Sequence, residues 1–461
     1  MTHLKRFVLL LAILAVSLSC QAVKGIIPPL GNPASTFTHT ATVTLTPIPP
    51  TSTPQPTSTH TPLPPTATSQ PTATLAPLKT GERIDIFEKL WKIIDENYLY
   101  SDFNGVDWQA VHEEYYQKVI NAHDPETFYA LMNQMISLLK DDHSGFLSPR
   151  DVEQEEIEFA GENNFTGIGI LTQAVYERNY ATVLMTFPNS PAEKAGIKAH
   201  DNIITIDGQP VIQNGELMLY LFRGPENTQV TVEVQTPGQA IRQLTLTRKQ
   251  FSEATPVPFQ VFSTPNGKRV GYIMLVTFAD VTIDRQVKNA LETMTADGSL
   301  DGLILDNRMN TGGADTVTQG TLGLFTMGTL GYFVDRNNNQ RQFSVVPTDI
   351  NGSQKVPLVV LVGKGTVSFG ELFAGTLKDS GRAYIIGETT EGNVELLRGF
   401  DFENGSRAWI AHEKFVPINH PQENWEKTGI IPDLTVLSQW DLVTTETDPA
   451  ILASLEYFDS N

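Results

Sequence analysis

A strand that ends near a serine and leads straight into a helix constrains the fold of this chain most. Pro357-Leu358-Val359-Val360-Leu361-Val362 is short, β-branched and uninterrupted, which predicts a buried core strand. It enters a Gly-rich turn, Gly363 and Gly365, and delivers Ser368 to the start of a helix on which Leu372, Phe373, Thr376 and Leu377 repeat at helical spacing. Asp379 follows Ser368 by eleven residues, about three turns, so the two share a helix face. A further strand, Ala383 to Ile386, closes a β-turn-α-β unit. A serine at such a junction suits nucleophilic catalysis, because unpaired N–H groups and the positive end of the helix dipole face any anion formed there. The same position also suits a plain N-cap.

The 461 residues suit two or three domains with appendages. A net charge of −20 argues against nucleic acid or an anionic membrane surface as partner, since both require basic patches. Lys5 and Arg6 precede an apolar run, Phe7 to Val16, and then Ser17-Leu18-Ser19-Cys20. That pattern is a secretory signal, too short to remain as a bilayer-spanning anchor. Cys20 is the one cysteine, so the fold contains no disulfide and the nucleophile is not a thiol. Residues from about Gly31 to Thr80 are rich in Thr, Pro and Ser, a composition that builds no core and predicts an extended stalk.

Helical patterns begin at Gly81. Ile84, Phe87, Leu90, Trp91 and Ile94 share one face, and Trp108 to Ile120 and Pro125 to Leu139 give two more amphipathic helices. The third runs into Lys140-Asp141-Asp142-His143-Ser144-Gly145. Phe165 to Arg248 carries Gly167-Ile168-Gly169-Ile170, then Ser190-Pro191-Ala192-Glu193-Lys194-Ala195-Gly196-Ile197, then Asp201 to Gly208, with alternating strands at Val230 to Val234 and Leu244 to Thr247. From Val270 a strand to Phe278 is expected, then a helix from Asp284 to Met294. The buried strand Gly302 to Asp306 leads into Asn307-Arg308-Met309-Asn310-Thr311-Gly312-Gly313. Strands are expected around Glu395 to Arg398 and Ala408 to Ala411, before Trp425-Glu426-Lys427-Thr428-Gly429-Ile430-Ile431-Pro432-Asp433.

These motifs resemble the tail-processing and tricorn-like serine peptidases of family S41. Ser368, Glu371, Asp379 and Gly381-Arg382-Ala383 fit the nucleophile segment of the tail-processing branch, where Glu stands at the third position, Asp at the eleventh and a catalytic Lys at the twenty-fifth. Here the Lys position is Asn393. The Asn307–Gly313 turn is similar to the family's Asp-Leu-Arg-x-Asn-x-Gly-Gly turn, with Asn307 in place of Leu. The Gly167–Ile170 stretch resembles the loop with which PDZ domains bind a peptide's terminal carboxylate through N–H groups. Cys20 stands where a bacterial lipoprotein is lipidated, in a lipobox-like setting with Ser17 where Leu is usual. The resemblance implies an α/β core of the tail-processing peptidase, crotonase-like type, with a PDZ-like β-rich module and an N-terminal helical cap. The implied division is a lipoprotein-type signal peptide over 1–20, a stalk over 21–80, the cap over 81–158 and the PDZ-like domain over 159–252. The peptidase core follows over 253–442 and a C-terminal tail over 443–461.

The remaining question is which base serves Ser368. A serine hydroxyl needs one at neutral pH, and the amide of Asn393 does not titrate there. In the tricorn-like branch a His near the cap and the Glu of the closing motif belong to the catalytic group, which here implies His143 as base and Glu426 as its partner. Gly312, Gly313 and the amide of Phe369 are the expected oxyanion-hole donors, although consecutive glycines also make ordinary tight turns. Lys378, Lys364 and Lys414 are alternative bases; Lys378 points about 100° off the Ser368 face. The expected function is an extracytoplasmic serine endopeptidase, membrane-anchored through a lipid on Cys20 or else secreted, acting on polypeptides with accessible C-terminal tails. No metal or cofactor is implied: His60, His112, His412 and His420 share no ligand spacing. The competing expectation is an inactive, PDZ-bearing lipoprotein that binds peptides or ligands.

Overall fold

The structure, a computed structural model, describes residues 75–460 apart from 142, 160–163 and 253. The signal segment with Cys20 and nearly all of the stalk lie outside the described residues. Three helices form the cap: α1 (Thr80–Asn97), α2 (Trp108–Asn121) and α3 (Pro125–Ile136). Asp107 and Asp124 cap α2 and α3 by accepting from the N–H groups of Ala110 and Thr127. Phe87, Leu90, Ile94, Val119, Phe128 and Met132 meet in the cap's core. Ile84 and Trp91, expected on the buried stripe, are only half-buried. Trp91 and Trp108 exchange indole-to-carbonyl hydrogen bonds, which tie α1 to α2. After His143 the chain forms β1 (Gly145–Leu147) and α4 (Pro149–Phe159). Strand β1 pairs antiparallel with residues 407–409 of a strand from the far end of the sequence. Phe402, Ala408, Ile410 and Ala411 accordingly join the cap's apolar cluster.

The PDZ-like module comprises β2 (Asn164–Gly167), β3 (Ile170–Val175), β4 (Tyr180–Thr186), α5 (Pro191–Lys194), β5 (Asn202–Ile206), β6 (Gln209–Pro210), β7 (Ile212–Gln213), β8 (Glu216–Leu217), α6 (Leu219–Phe222), β9 (Gln229–Gln235), β10 (Arg242–Thr247) and β11 (Lys249–Ser252). Its main sheet runs β10-β9-β5-β4-β3, with β3 at an edge. Val230, Val232 and Val234 alternate inward against Ile203, Ile206 and Ile168. Strands β2 and β11 pair with each other, so the chain enters and leaves the module through one ribbon. The module docks on the core through Trp440, whose ring stacks on His200 at 4.0 Å and whose indole N–H donates to the Val183 carbonyl.

The core follows as β12 (Phe259–Ser263), β13 (Arg269–Met274), α7 (Ile283–Met294), β14 (Gly302–Asp306), α8 (Asp315–Leu322), β15 (Gly328–Asp335), β16 (Gln340–Val345), β17 (Leu358–Val362), α9 (Phe369–Asp379), β18 (Tyr384–Gly387), β19 (Leu396–Asp401), β20 (Arg407–Pro417), α10 (Trp425–Thr428), β21 (Leu434–Thr435) and α11 (Pro449–Ser460). One sheet has the order β12-β13-β14-β17-β18-β21, parallel from β13 onward. A second sheet joins β1, β20, β15 and β16, with β19 also on β20. The strand expected to reach Phe278 ends at Met274, because the backbone beyond it turns to hydrogen-bond the Asn310–Gly313 loop: Thr311 N–H donates to Val276 and Phe278 N–H to Gly312.

Of the segment 443–461, expected as a tail, residues Pro449–Ser460 form helix α11, packed on the parallel sheet. Ala450, Ile451, Ser454 and Phe458 fall on one face and are buried. A Cβ on Gly302 would lie 2.6 Å from the Phe458 ring, so glycine at this strand residue permits the approach. Asp448, just before the helix, pairs with Arg308 at 2.7 Å, and Arg308 also pairs with Asp306 at 2.6 Å. The C-terminal segment thereby braces the turn that follows β14.

Candidate active site

Two strand-to-helix turns meet at the C-terminal ends of β14 and β17, and Ser368 stands where they touch. Asn307 Nδ2 donates to the Gly370 carbonyl, Thr366 Oγ1 to the Asn307 carbonyl and Val367 N–H to the Asn310 carbonyl. Ser368 has φ 55° and ψ −126°, a conformation costly for a residue with a side chain, and makes no side-chain cap bond to α9. The plain N-cap reading therefore does not describe this serine. Strain of that kind persists where surrounding contacts over-determine the backbone, as these cross-turn bonds do.

Gly312 and Gly313 lie against the serine. A Cβ on Gly312, at φ +86°, would fall 2.8 Å from Ser368 Cβ and 2.9 Å from the Phe369 nitrogen. Gly312 does not serve as a free donor, however, because its N–H is taken by Asn310 Oδ1 at 2.9 Å, an Asx turn closed two residues back. Among the described residues the N–H groups of Gly313 and Phe369 have no acceptor. These two are the available donors for an oxyanion, and Gly312 supplies the close approach. Gly312→Ala is expected to lower any rate that depends on Ser368 at least ~100-fold, the scale of a lost oxyanion donor. Hydrolysis assays paired with thermal melts check this, and an undiminished rate would place the reacting carbonyl elsewhere.

His143 and Glu426, 283 residues apart in sequence, meet with Nε2 2.6 Å from Oε1. Asp141 shapes the turn that presents the imidazole: its Oδ1 accepts from the His143 N–H and its carboxylate from the Ser144 N–H and hydroxyl. Glu426 Oε2 accepts from the N–H groups of Val394 and Glu395 at 2.8 and 3.2 Å. Burial works against an imidazolium at His143, yet the Glu426 hydrogen bond and charge outweigh it and push the group up to about 9. Burial likewise opposes the Glu426 carboxylate, and His143 holds it below its ordinary value. With Nε2 turned to Glu426, Nδ1 is the nitrogen left for Ser368; it is buried without a partner, and no hydrogen bond joins it to Ser368.

The link from Ser368 to this pair runs through Glu371, one turn along α9. Glu371 is fully buried; its Oε1 accepts from Thr390 Oγ1 at 2.5 Å and Gly392 N–H at 2.9 Å. Gly392 packs so closely on the Glu426 backbone that a Cβ there would lie 2.3 Å from the Glu426 carbonyl oxygen. Burial pushes Glu371 up to about 7, despite those hydrogen bonds. Glu395 is also buried, and the Tyr100 hydroxyl donates to its Oε1. Burial and then the Glu426 charge push Glu395 up to about 7. Glu395 and Tyr100 were not singled out from the sequence, where nothing in their spacing relates them to His143. The alternative bases are committed or remote: Lys378 pairs with Asp433 at 3.0 Å, Lys364 with Glu391 at 3.1 Å, and Lys414 is exposed on β20.

In the PDZ-like module the Ile168 carbonyl accepts from Ala192 N–H and the Gly169 carbonyl from Phe187 N–H, both at 3.0 Å. Planar trans peptides then turn the N–H groups of Gly169 and Ile170 to the opposite side. Gly169 has φ +75°, and Ile168 is buried in the module's core. The loop continues directly into β3, the edge strand, and the end of α6 lies beside it through the Gly167–Arg223 bridge.

Comparison with known proteins finds matches in all three parts of the molecule. The sequence model for peptidase family S41 matches residues 269–436, that for the tricorn protease C1 domain residues 80–137, and that for the PDZ domain residues 188–236. The chain is 30% identical over 380 residues to a carboxyl-terminal-processing protease of a Synechocystis species, covering 79% of this chain and 84% of the relative. It is 31% identical over 377 residues to a chloroplastic C-terminal processing peptidase of Tetradesmus obliquus, covering 77% of each. Among solved structures, a photosystem II D1 C-terminal processing protease superposes with a TM-score of 0.52 at 29% identity, over 77% of this chain and 93% of the other.

Proposed function

The chain belongs to peptidase family S41, and from that premise we propose that it is an extracytoplasmic serine endopeptidase that captures polypeptide C-terminal tails and cuts them through an acyl-enzyme on Ser368. The observation that carries the reading is the 2.6 Å contact between His143 of the cap and Glu426 of α10, next to the loop that α9 holds through Glu371. Ser368 Oγ attacks the scissile carbonyl while His143 Nδ1 takes its proton. Glu426 compensates the imidazolium and fixes which nitrogen faces the serine. The N–H groups of Gly313 and Phe369 receive the oxyanion. Collapse breaks the C–N bond, His143 returns the proton to the leaving amine, and water then releases the acyl group with His143 again as base.

The tail would add as a strand to the open edge of β3, its carboxylate at the N–H groups of Gly169 and Ile170. Lipidation of Cys20 and a membrane-anchored location outside the cytoplasm are supported by the Lys5–Cys20 signal pattern. Incubation of the purified chain with an unfolded polypeptide bearing a free C-terminus, with products read by mass spectrometry, tests the reading. Fragments are expected from the native chain and none from Ser368→Ala. Binding of the tail without any fragment would favour a peptide-binding lipoprotein, and fragments from Ser368→Ala would remove the serine from the chemistry.

A further inference from the structure

Three carboxylates gather around one imidazole, and among the described residues no Lys or Arg is paired with them. His143, Glu395 and Glu426 each offer a ligand atom, and these atoms all lie within 4.8 Å of one another. His143 and Glu395 are each 7% exposed. Asp141 adds its charge to the same imidazole's surroundings. Among the described residues no Lys or Arg pairs with Asp141, Glu395 or Glu426; the ion pair formed is His143–Glu426 itself. Asn393, two residues before Glu395, is uncharged. Carboxyl groups gathered around a buried imidazole resist ionising together, and a bound cation offsets that cost.

We propose that His143, Glu395 and Glu426 form a binding site for a divalent transition-metal ion of the Zn²⁺ type, and that the bound ion holds the peptidase off. The second half of this inference rests on the functional reading above; the first half does not. One imidazole with two carboxylates suits Zn²⁺ better than Ca²⁺ or Mg²⁺, and three protein ligands leave one position for water. Each carboxylate already has one oxygen fixed by an outer donor, as metal-binding carboxylates commonly do. The Tyr100 hydroxyl holds Glu395 Oε1, and two backbone N–H groups hold Glu426 Oε2.

Insertion of the ion requires the Nε2···Oε1 distance to open from 2.6 Å to about 3.3 Å, the spacing set by metal–ligand bonds of ~2.0–2.2 Å at a tetrahedral angle. Starting from the imidazolium, binding releases the Nε2 proton to water and leaves the Nδ1 proton in place. The imidazole then has no lone pair for Ser368.

The metal-free full-length chain is to be titrated with zinc chloride by calorimetry, with stoichiometry checked by equilibrium dialysis and atomic absorption. One ion per chain is expected. Glu395→Gln should weaken binding at least tenfold and His143→Ala should abolish it. Tyr100→Phe, which removes only an outer donor, should weaken it by about tenfold. Circular dichroism melts confirm that each variant is folded, and the Tyr100 variant keeps the test decisive if Glu395→Gln does not fold. The rate of fluorophosphonate labelling at Ser368, compared with and without zinc in the same sample, should fall at least tenfold and recover on chelation. No stoichiometric zinc, or equal affinity in all variants, overturns the site. One ion bound with unchanged labelling overturns the off-switch. Zinc bound to a chain that never labels would sink the peptidase reading while leaving the site in place.

Discussion

His143→Ala is expected to lower kcat/KM for hydrolysis of a tail-bearing polypeptide by about 10³- to 10⁴-fold, close to the full worth of a general base at an unactivated serine. That corresponds to roughly 4–5.5 kcal/mol of lost transition-state stabilisation. Lys378 and Lys364 do not take over the role, because each is engaged in an ion pair elsewhere. KM is expected to change little, since the Gly167–Ile170 loop, where the tail is proposed to bind, lies in the PDZ-like module and His143 does not. Glu426→Gln retains a hydrogen-bonding side chain but loses the charge, so its effect should be smaller. A pH profile separates the roles. As the proposed base, His143 works only when neutral, and Glu426 holds its protonated form up to about 9, so wild-type kcat/KM should climb with pH through that region. In Glu426→Gln the climb should end at lower pH. Steady-state kinetics on folded variants, verified by thermal melts, provide the measurement; equal rates for wild type and His143→Ala would remove this residue from the mechanism.

The second large effect is on stability. Burial raises Glu371 from 4.5 to about 7, so the folded protein resists ionising a group that the unfolded chain ionises readily. Below about pH 4.5 both states are protonated and there is no penalty. Between 4.5 and 7 the unfolded chain sheds the proton first, and stability falls as pH rises. Above 7 the penalty is complete, at about 3 kcal/mol. Glu371→Gln fixes a neutral group that still accepts from Thr390 and Gly392. Its denaturation midpoint should therefore fall less than that of wild type between pH 5 and 8, with the gap opening as pH rises. Chemical denaturation at several pH values measures this, and parallel curves would mean that Glu371 is ionised in the folded protein without cost.

Much of the site's mounting was legible because its residues lie close together in sequence. The β-branched run before Gly363, the amphipathic face of α9 and the Gly312-Gly313 turn each carry a local pattern, and they appear as β17, α9 and the loop braced by Asn310. The partnership of His143 with Glu426 follows from no spacing. It became visible only through resemblance to a family, because β1 carries the end of the cap into the second sheet beside β20. Glu395 and Tyr100 had no such guide. The C-terminal segment was misjudged for a different reason: Ala450, Ile451, Ser454 and Phe458 mix small and large residues over a short helix, a weak periodic signal that becomes a packed face only against Gly302 and the sheet. Likewise, Gly312 is no free donor, because the Asn310 side chain occupies its N–H. A side-chain hydrogen bond two residues away is a matter of rotamer and turn geometry, which spacing alone does not report.

The proposed activation of Ser368 by His143 and Glu426 is tested by covalent labelling. The wild-type chain, His143→Ala and Glu426→Gln are each exposed to a fluorophosphonate probe, and the adduct is located by peptide mapping with mass spectrometry. A single adduct on Ser368 is expected, formed fastest in wild type and slowest in His143→Ala. An absence of adduct at Ser368, or formation at one common rate in all three proteins, would contradict it.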